Sequence, residues 1–164
     1  MQKNNRPSLF SVEGLFLSCG GLGFSPKAPG TVGTIGTLPI LYGLSYIKLP
    51  PFFIVPFFIL AAIGASLVTE MCRKKYGAHD PQWIVIDEAI GMTTAWFFHP
   101  YGTLLELMIL FTLFRFFDIV KVWPASYFDK QVEHGYGVIA DDIVAGLYAG
   151  LVFLLGNFLY LQLF

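Results

Sequence analysis

The stretch IVAGLYAGLVFLLGNFLYLQLF, residues 143–164, carries no Asp, Glu, Lys or Arg. A helix needs roughly 20 predominantly apolar residues to cross a bilayer. Ile143 to Leu163 therefore reads as a membrane span. FFIVPFFILAAIGASLVT, residues 52–69, reads the same way. The whole chain agrees with these two stretches. Of its 164 residues 55% are hydrophobic and only 13% are charged, where a soluble domain carries about 25%. So few charges cannot cover a water-facing surface. The length suits a single membrane-embedded domain, residues 1–164.

Further spans emerge between the charges, because charge is the costly feature in lipid. Ala28 to Ile47 is uncharged but rich in glycine, and reads as a loop turning into a helix near Gly33. The turn-forming run His99-Pro100-Tyr101-Gly102 divides the middle of the chain. It separates a helix from about Ile84 to Phe98 from another at about Thr103 to Val120. Both are short for a full crossing, which suits helices whose ends line a polar cavity. The fold expected is an all-α, multi-helix integral membrane bundle with about five helical segments. His79 and Asp80 read as loop.

Orientation follows from the basic residues. With the N-terminus inside, Arg73, Lys74, Lys75, Lys121 and Lys130 all fall on the cytoplasmic side, and Lys48 alone falls outside. The turn at residues 99–102 also lies outside. The first ten residues, MQKNNRPSLF, lack the long apolar run of a signal peptide.

Several chemistries are excluded. A formal net charge of −1 offers no basic surface for nucleic acid. Cys19 and Cys72 form no disulfide framework. Ser25 and Ala78, rather than arginine, stand six residues after them, so the thiolate phosphatase loop is missing. There is no D-x-D-x-[TV] sequence for an aspartyl-phosphate mechanism either.

On this topology the polar residues converge at the cytoplasmic face. Asp87-Glu88 and Asp141-Asp142 each open a helix, and Arg115, Asp118 and Lys121 close one. Helix-dipole capping alone would account for either acidic pair. Five carboxylates meeting at one face also repel one another unless a cation sits among them. Magnesium, which takes oxygen ligands and retains waters, suits such a place. Arg115, Asp118 and Lys121 recur every three residues and so share a helix face. A structural Arg–Asp pair is one reading, and recognition of a phosphate is the other. Gly30-Thr31-Val32-Gly33-Thr34, at a helix start, also suits an anion. Gly146 to Gly150 is a G-x-x-x-G packing pattern.

Four blocks carry a resemblance. They are Pro26-Lys27-Ala28-Pro29-Gly30-Thr31-Val32-Gly33-Thr34, Val85-Ile86-Asp87-Glu88-Ala89-Ile90-Gly91-Met92, Phe114-Arg115-Phe116-Phe117-Asp118-Ile119-Val120-Lys121-Val122-Trp123-Pro124 and Asp141-Asp142-Ile143-Val144-Ala145-Gly146. In order and spacing, from about residue 14 to about residue 155, they resemble the bacterial phosphatidylglycerophosphatase A family. The resemblance implies a magnesium-dependent lipid phosphatase of the bacterial inner membrane. Such an enzyme hydrolyses phosphatidylglycerophosphate to phosphatidylglycerol and phosphate.

The expected mechanism is hydrolysis by metal-activated water. Asp87, Glu88, Asp118 and Asp142 are the candidate Mg²⁺ ligands, and Asp141 is a further ligand or the base. Arg115 and Lys121 stabilise transition-state charge. Thr31, Thr34, Lys27, Arg115 and Lys121 form the candidate substrate-binding set. The competing readings are a small cation-binding transporter and a non-catalytic lipid-binding scaffold. A transporter more naturally places its charges near the midplane on broken helices.

Overall fold

The computed structural model describes residues 7–76, 82–132 and 134–163. Among them are seven α-helices, one short 3-10 turn at Leu22–Phe24 and no strand. The α-helices are α1 Val12–Leu17, α2 Pro29–Tyr46, α3 Pro51–Tyr76, α4 Ile86–Trp96, α5 Leu104–Val120, α6 Ala125–Gln131 and α7 Gly135–Leu163. Five of them correspond to the expected segments, so the architecture is all-helical. Two short helices, α1 and α6, exceed the expected count of about five. His79 and Asp80 lie outside the described residues.

Side-chain caps close the N-termini of α1 and α5. The Ser11 hydroxyl accepts the Gly14 N–H at 3.0 Å and caps α1. On α5, Thr103 and Glu106 form a reciprocal capping box, with Thr103 N donating to Glu106 Oε2 at 2.6 Å. Neither α1 nor α6 has the apolar length that the search for spans relies on.

α3 and α7 are long and apolar enough to cross a membrane. Only 11% of the most apolar stretch of α3 is buried within the protein. Phe52, Phe57, Leu60 and Leu67 on α3, with Leu151, Leu155, Phe158 and Leu161 on α7, all face outward. A helix that is apolar all round yet unburied needs an apolar surrounding, so these surfaces suit lipid.

α4 is the opposite case. Its 11 residues rise only about 16 Å, too little to cross a bilayer, but it lies at the centre of the fold. Ile86, Ile90, Met92, Ala95 and Trp96 are buried. Trp96 donates its indole N–H to Ser45 Oγ at 2.9 Å, which satisfies the buried ring nitrogen. α4 meets α7 through glycines. A Cβ on Gly91 would lie 2.7 Å from the Asp142 carbonyl, and one on Gly146 would lie 2.9 Å from Thr94 Cβ. The absence of side chains there lets the backbones of α4 and α7 touch. The two acidic pairs are thereby brought to one level.

α7 also begins earlier than the sequence suggests, at Gly135 rather than at the acidic pair. Its N-terminus is capped by a residue of another helix, since Gly135 N donates to Glu70 Oε2 of α3 at 2.9 Å. Asp141 and Asp142 consequently sit in the second turn of α7. They are not capping residues, and they are buried.

Candidate functional site

Five helices deliver charge to one cavity of about 420 Å³, α3 through Arg73. α4 contributes Asp87 and Glu88 from its first turn, and α7 contributes Asp141 and Asp142. Arg115, Asp118 and Lys121 come from the end of α5, and Asp129 comes from α6. The start of α2 forms another wall with Pro29, Gly30 and Thr31. In all, six carboxylates face three cations, Arg73, Arg115 and Lys121. The imbalance is acidic.

At the centre, Asp87, Glu88 and Asp142 each offer one carboxylate oxygen, and the three oxygens lie within 4.8 Å of one another. Asp118 neighbours Asp142. Buried like charges at that range require a cation or protons between them. Glu88 Oε2 is moreover buried with no hydrogen-bond partner among the described residues. A buried orphan oxygen in an all-oxygen donor set fits a hard divalent cation such as Mg²⁺. Gly30 makes room for this arrangement, because a Cβ there would collide with Glu88 Oε1.

Two of the three cations, Arg115 and Lys121, are held in place by carboxylates outside that trio. Arg115 Nη1 lies 2.6 Å from Asp118 Oδ2 on the same face of α5. It also reaches Thr34 Oγ1 at 3.5 Å, while the Thr34 hydroxyl donates to Gly30 O at 2.9 Å. Arg115 Nε is buried and has no hydrogen-bond partner among the described residues. Lys121 closes α5 in a left-handed conformation, φ 47°. Its ammonium donates to Asp141 Oδ2 and to Asp129 Oδ1, each at 2.6 Å. Burial alone would lower its pKa, but the Asp141 and Asp129 carboxylates outweigh burial and hold it above the ordinary lysine value. Lys121 therefore stays charged in the site.

The family model of phosphatidylglycerophosphatase A matches residues 15–157. The chain belongs to the phosphatidylglycerophosphatase A family. It is 33% identical over 141 residues to the Escherichia coli protein named phosphatidylglycerophosphatase A, covering 84% of this chain and 79% of that one. The Haemophilus influenzae protein of the same name is 36% identical over 138 residues, 80% of each chain. A Bacteroides thetaiotaomicron protein, provisionally named phosphatidylinositol-3-phosphatase, is 31% identical over 166 residues, covering 88% of this chain and 91% of that one. No solved structure matches the chain significantly.

In this phosphatidylglycerophosphatase A family member, Asp87, Glu88, Arg115, Asp118, Lys121, Asp141, Asp142 and Thr31 all line the cavity. Thr34 does not. It is fully buried behind the wall, where it touches Arg115 instead. Lys27 is exposed and also lies off the cavity wall. Asp118 stands outside the three-oxygen cluster and pairs with Arg115.

Sequence reasoning missed Arg73, Gln82 and Asp129, which also line the cavity. Asp129 lies eight residues beyond Lys121, on a helix too short to notice. Arg73 is one of three successive basic residues, a pattern that reads as an orientation signal. Only the fold separates it from its neighbours.

Proposed function

We propose that this chain hydrolyses phosphatidylglycerophosphate to phosphatidylglycerol and inorganic phosphate, a step of phosphatidylglycerol synthesis. The observation that supports this most is the family match over residues 15–157. The cavity adds a chemical reason, since carboxylate oxygens and cations sit together where a phosphomonoester could enter.

In this reading Asp87, Glu88 and Asp142 hold Mg²⁺. Bound there, such an ion would supply charge neutralisation for the phosphoryl oxygens and a more acidic water. Arg115 donates to the phosphoryl oxygens, and Asp118 orients its guanidinium. Lys121 adds a positive charge and is itself aimed by Asp129 and Asp141. Water attacks phosphorus as the bond from phosphorus to the glycerol oxygen breaks. Asp141 receives a proton from the water, and the departing glycerol oxygen is protonated from solvent. The acyl chains remain in lipid.

The protein sits as a multi-pass protein in the bacterial inner membrane with the cavity open to the cytoplasm. The distribution of basic residues supports that orientation. Single cysteines at positions 101 and 130 test it with an impermeant reagent. Labelling at 130 from outside intact cells would overturn it. Family membership removes the ground for the transporter and scaffold readings.

The deciding assay is phosphate release from phosphatidylglycerophosphate in detergent micelles, run beside phosphatidylinositol 3-phosphate. Preferential release from phosphatidylglycerophosphate supports the reading. Faster release from the inositol lipid would move the chain to the other activity, and release from neither would refute a lipid phosphatase.

A further inference from the structure

The last turn of α3 carries Arg73, Lys74 and Lys75. Lys74 is neutralised by Glu70 at 3.0 Å, one turn back on the same helix. Lys75 is neutralised by Glu13 of α1 at 3.0 Å. Arg73 turns the other way, into the cavity, half-buried. Of the three cavity cations, Arg115 is committed to Asp118 and Lys121 to Asp129 and Asp141. Arg73 has no ion pair or hydrogen bond among the described residues. A half-buried guanidinium with no partner among the described residues is suited to an anion.

Its position also matters. Gly135 at the start of α7 backs onto Ser66 and Glu70, one turn before Arg73 on α3. Asp142 lies two turns further along α7, about 10 Å by the helical rise. Arg73 thus comes from α3, a helix that contributes none of the three clustered carboxylates. α3 is also one of the two helices long and apolar enough to cross a membrane, and Arg73 lies in its charged last turn.

Resting on the phosphatase reading above, the substrate carries two phosphates joined through glycerol. One is the terminal monoester that is cleaved, and the other is the diester bonded to diacylglycerol. We infer that Arg73 binds the diester phosphate and so selects lipids that carry a second phosphate beyond the one removed. The contact is with a group that does not react, so it governs substrate capture rather than the chemical step.

The test measures Arg73→Gln in mixed micelles by initial rates. Loss of one charge-assisted pair should raise KM for phosphatidylglycerophosphate about tenfold with kcat nearly retained. Inhibition by phosphatidylglycerol, which has only the diester, should weaken in proportion. Inhibition by inorganic phosphate, which mimics only the monoester end, should be unchanged. Lys74→Gln removes the same charge one residue away and should leave KM alone, which excludes a general attraction of the micelle surface. An unchanged KM in Arg73→Gln would overturn the inference. So would parallel weakening of phosphate and phosphatidylglycerol inhibition, because Arg73 would then face the reacting phosphate. Arg73→Lys should recover part of the KM, and its failure to differ from Arg73→Gln while the fold melts normally would argue for bidentate contact. If the unaltered protein releases no phosphate from this lipid, the activity reading fails first, and independently of Arg73.

Discussion

Arg115 Nη1 lies 2.6 Å from Asp118 Oδ2, three residues along the same helix, at the wall of an acidic cavity. The pair fixes a guanidinium whose Nε is buried without a hydrogen-bond partner among the described residues. Asp118 thereby fixes the Arg115 guanidinium instead of standing in the three-oxygen cluster.

Arg115→Lys should lower kcat on the order of a hundredfold, the cost of one transition-state donor. An ammonium keeps the charge but cannot present two parallel donors. The melting temperature in detergent should hardly move. A destabilised variant with nearly full kcat would make Arg115 a scaffold residue.

Asp142→Asn and Asp118→Asn should differ. Asp142 shares the oxygen cluster with Asp87 and Glu88. Its amide variant should raise the Mg²⁺ concentration for half-maximal activity at least about tenfold. Asp118→Asn should lower kcat while leaving that concentration unchanged. A magnesium titration of each variant checks this, and equal shifts would place Asp118 among the ligands.

Removing the metal should be reversible. Chelation should abolish phosphate release from the unaltered protein, and magnesium should restore it. Full activity after exhaustive chelation would refute a metal-dependent mechanism.

Lys121→Met should lose stability in a pH-dependent way. The Lys121 pKa is raised in the folded protein by Asp141 and Asp129. A raised basic group stabilises below its unfolded pKa and loses that contribution as pH climbs through the folded value. The melting-temperature gap between the unaltered protein and Lys121→Met should therefore stay constant from about pH 6 to 9. It should narrow only above the ordinary lysine range. A gap that closes near neutral pH would mean that Lys121 is not held by those carboxylates.

Gly146→Ala should cost about 1–3 kcal/mol by overpacking, because the added methyl meets Gly91 backbone and Thr94. Detergent melting would report it. Gly43→Ala has open space around it and should be neutral or stabilising.

The sequence by itself determined the helical class, the two longest spans and most of the charged residues at the cavity. Spans are legible because lipid exacts a large cost for each charge, so long uncharged runs such as residues 143–164 stand out. Asp87-Glu88, Arg115 and Asp118 are legible for the same reason, since charges set against apolar helices draw the eye. Tertiary structure decided the rest, because it depends on contacts between residues far apart in the chain. Glu70 of α3 caps Gly135, so α7 starts before Asp141-Asp142, and nothing local to that pair signals it. Packing at Gly91 and Gly146 brings the acidic pairs of α4 and α7 together. Thr34 falls behind the wall and Lys27 off it, although both belong to the same short block as Thr31. Arg73, Lys74 and Lys75 are alike in sequence. Only the placement of Glu13 and Glu70 occupies the two lysines and leaves the arginine facing the cavity.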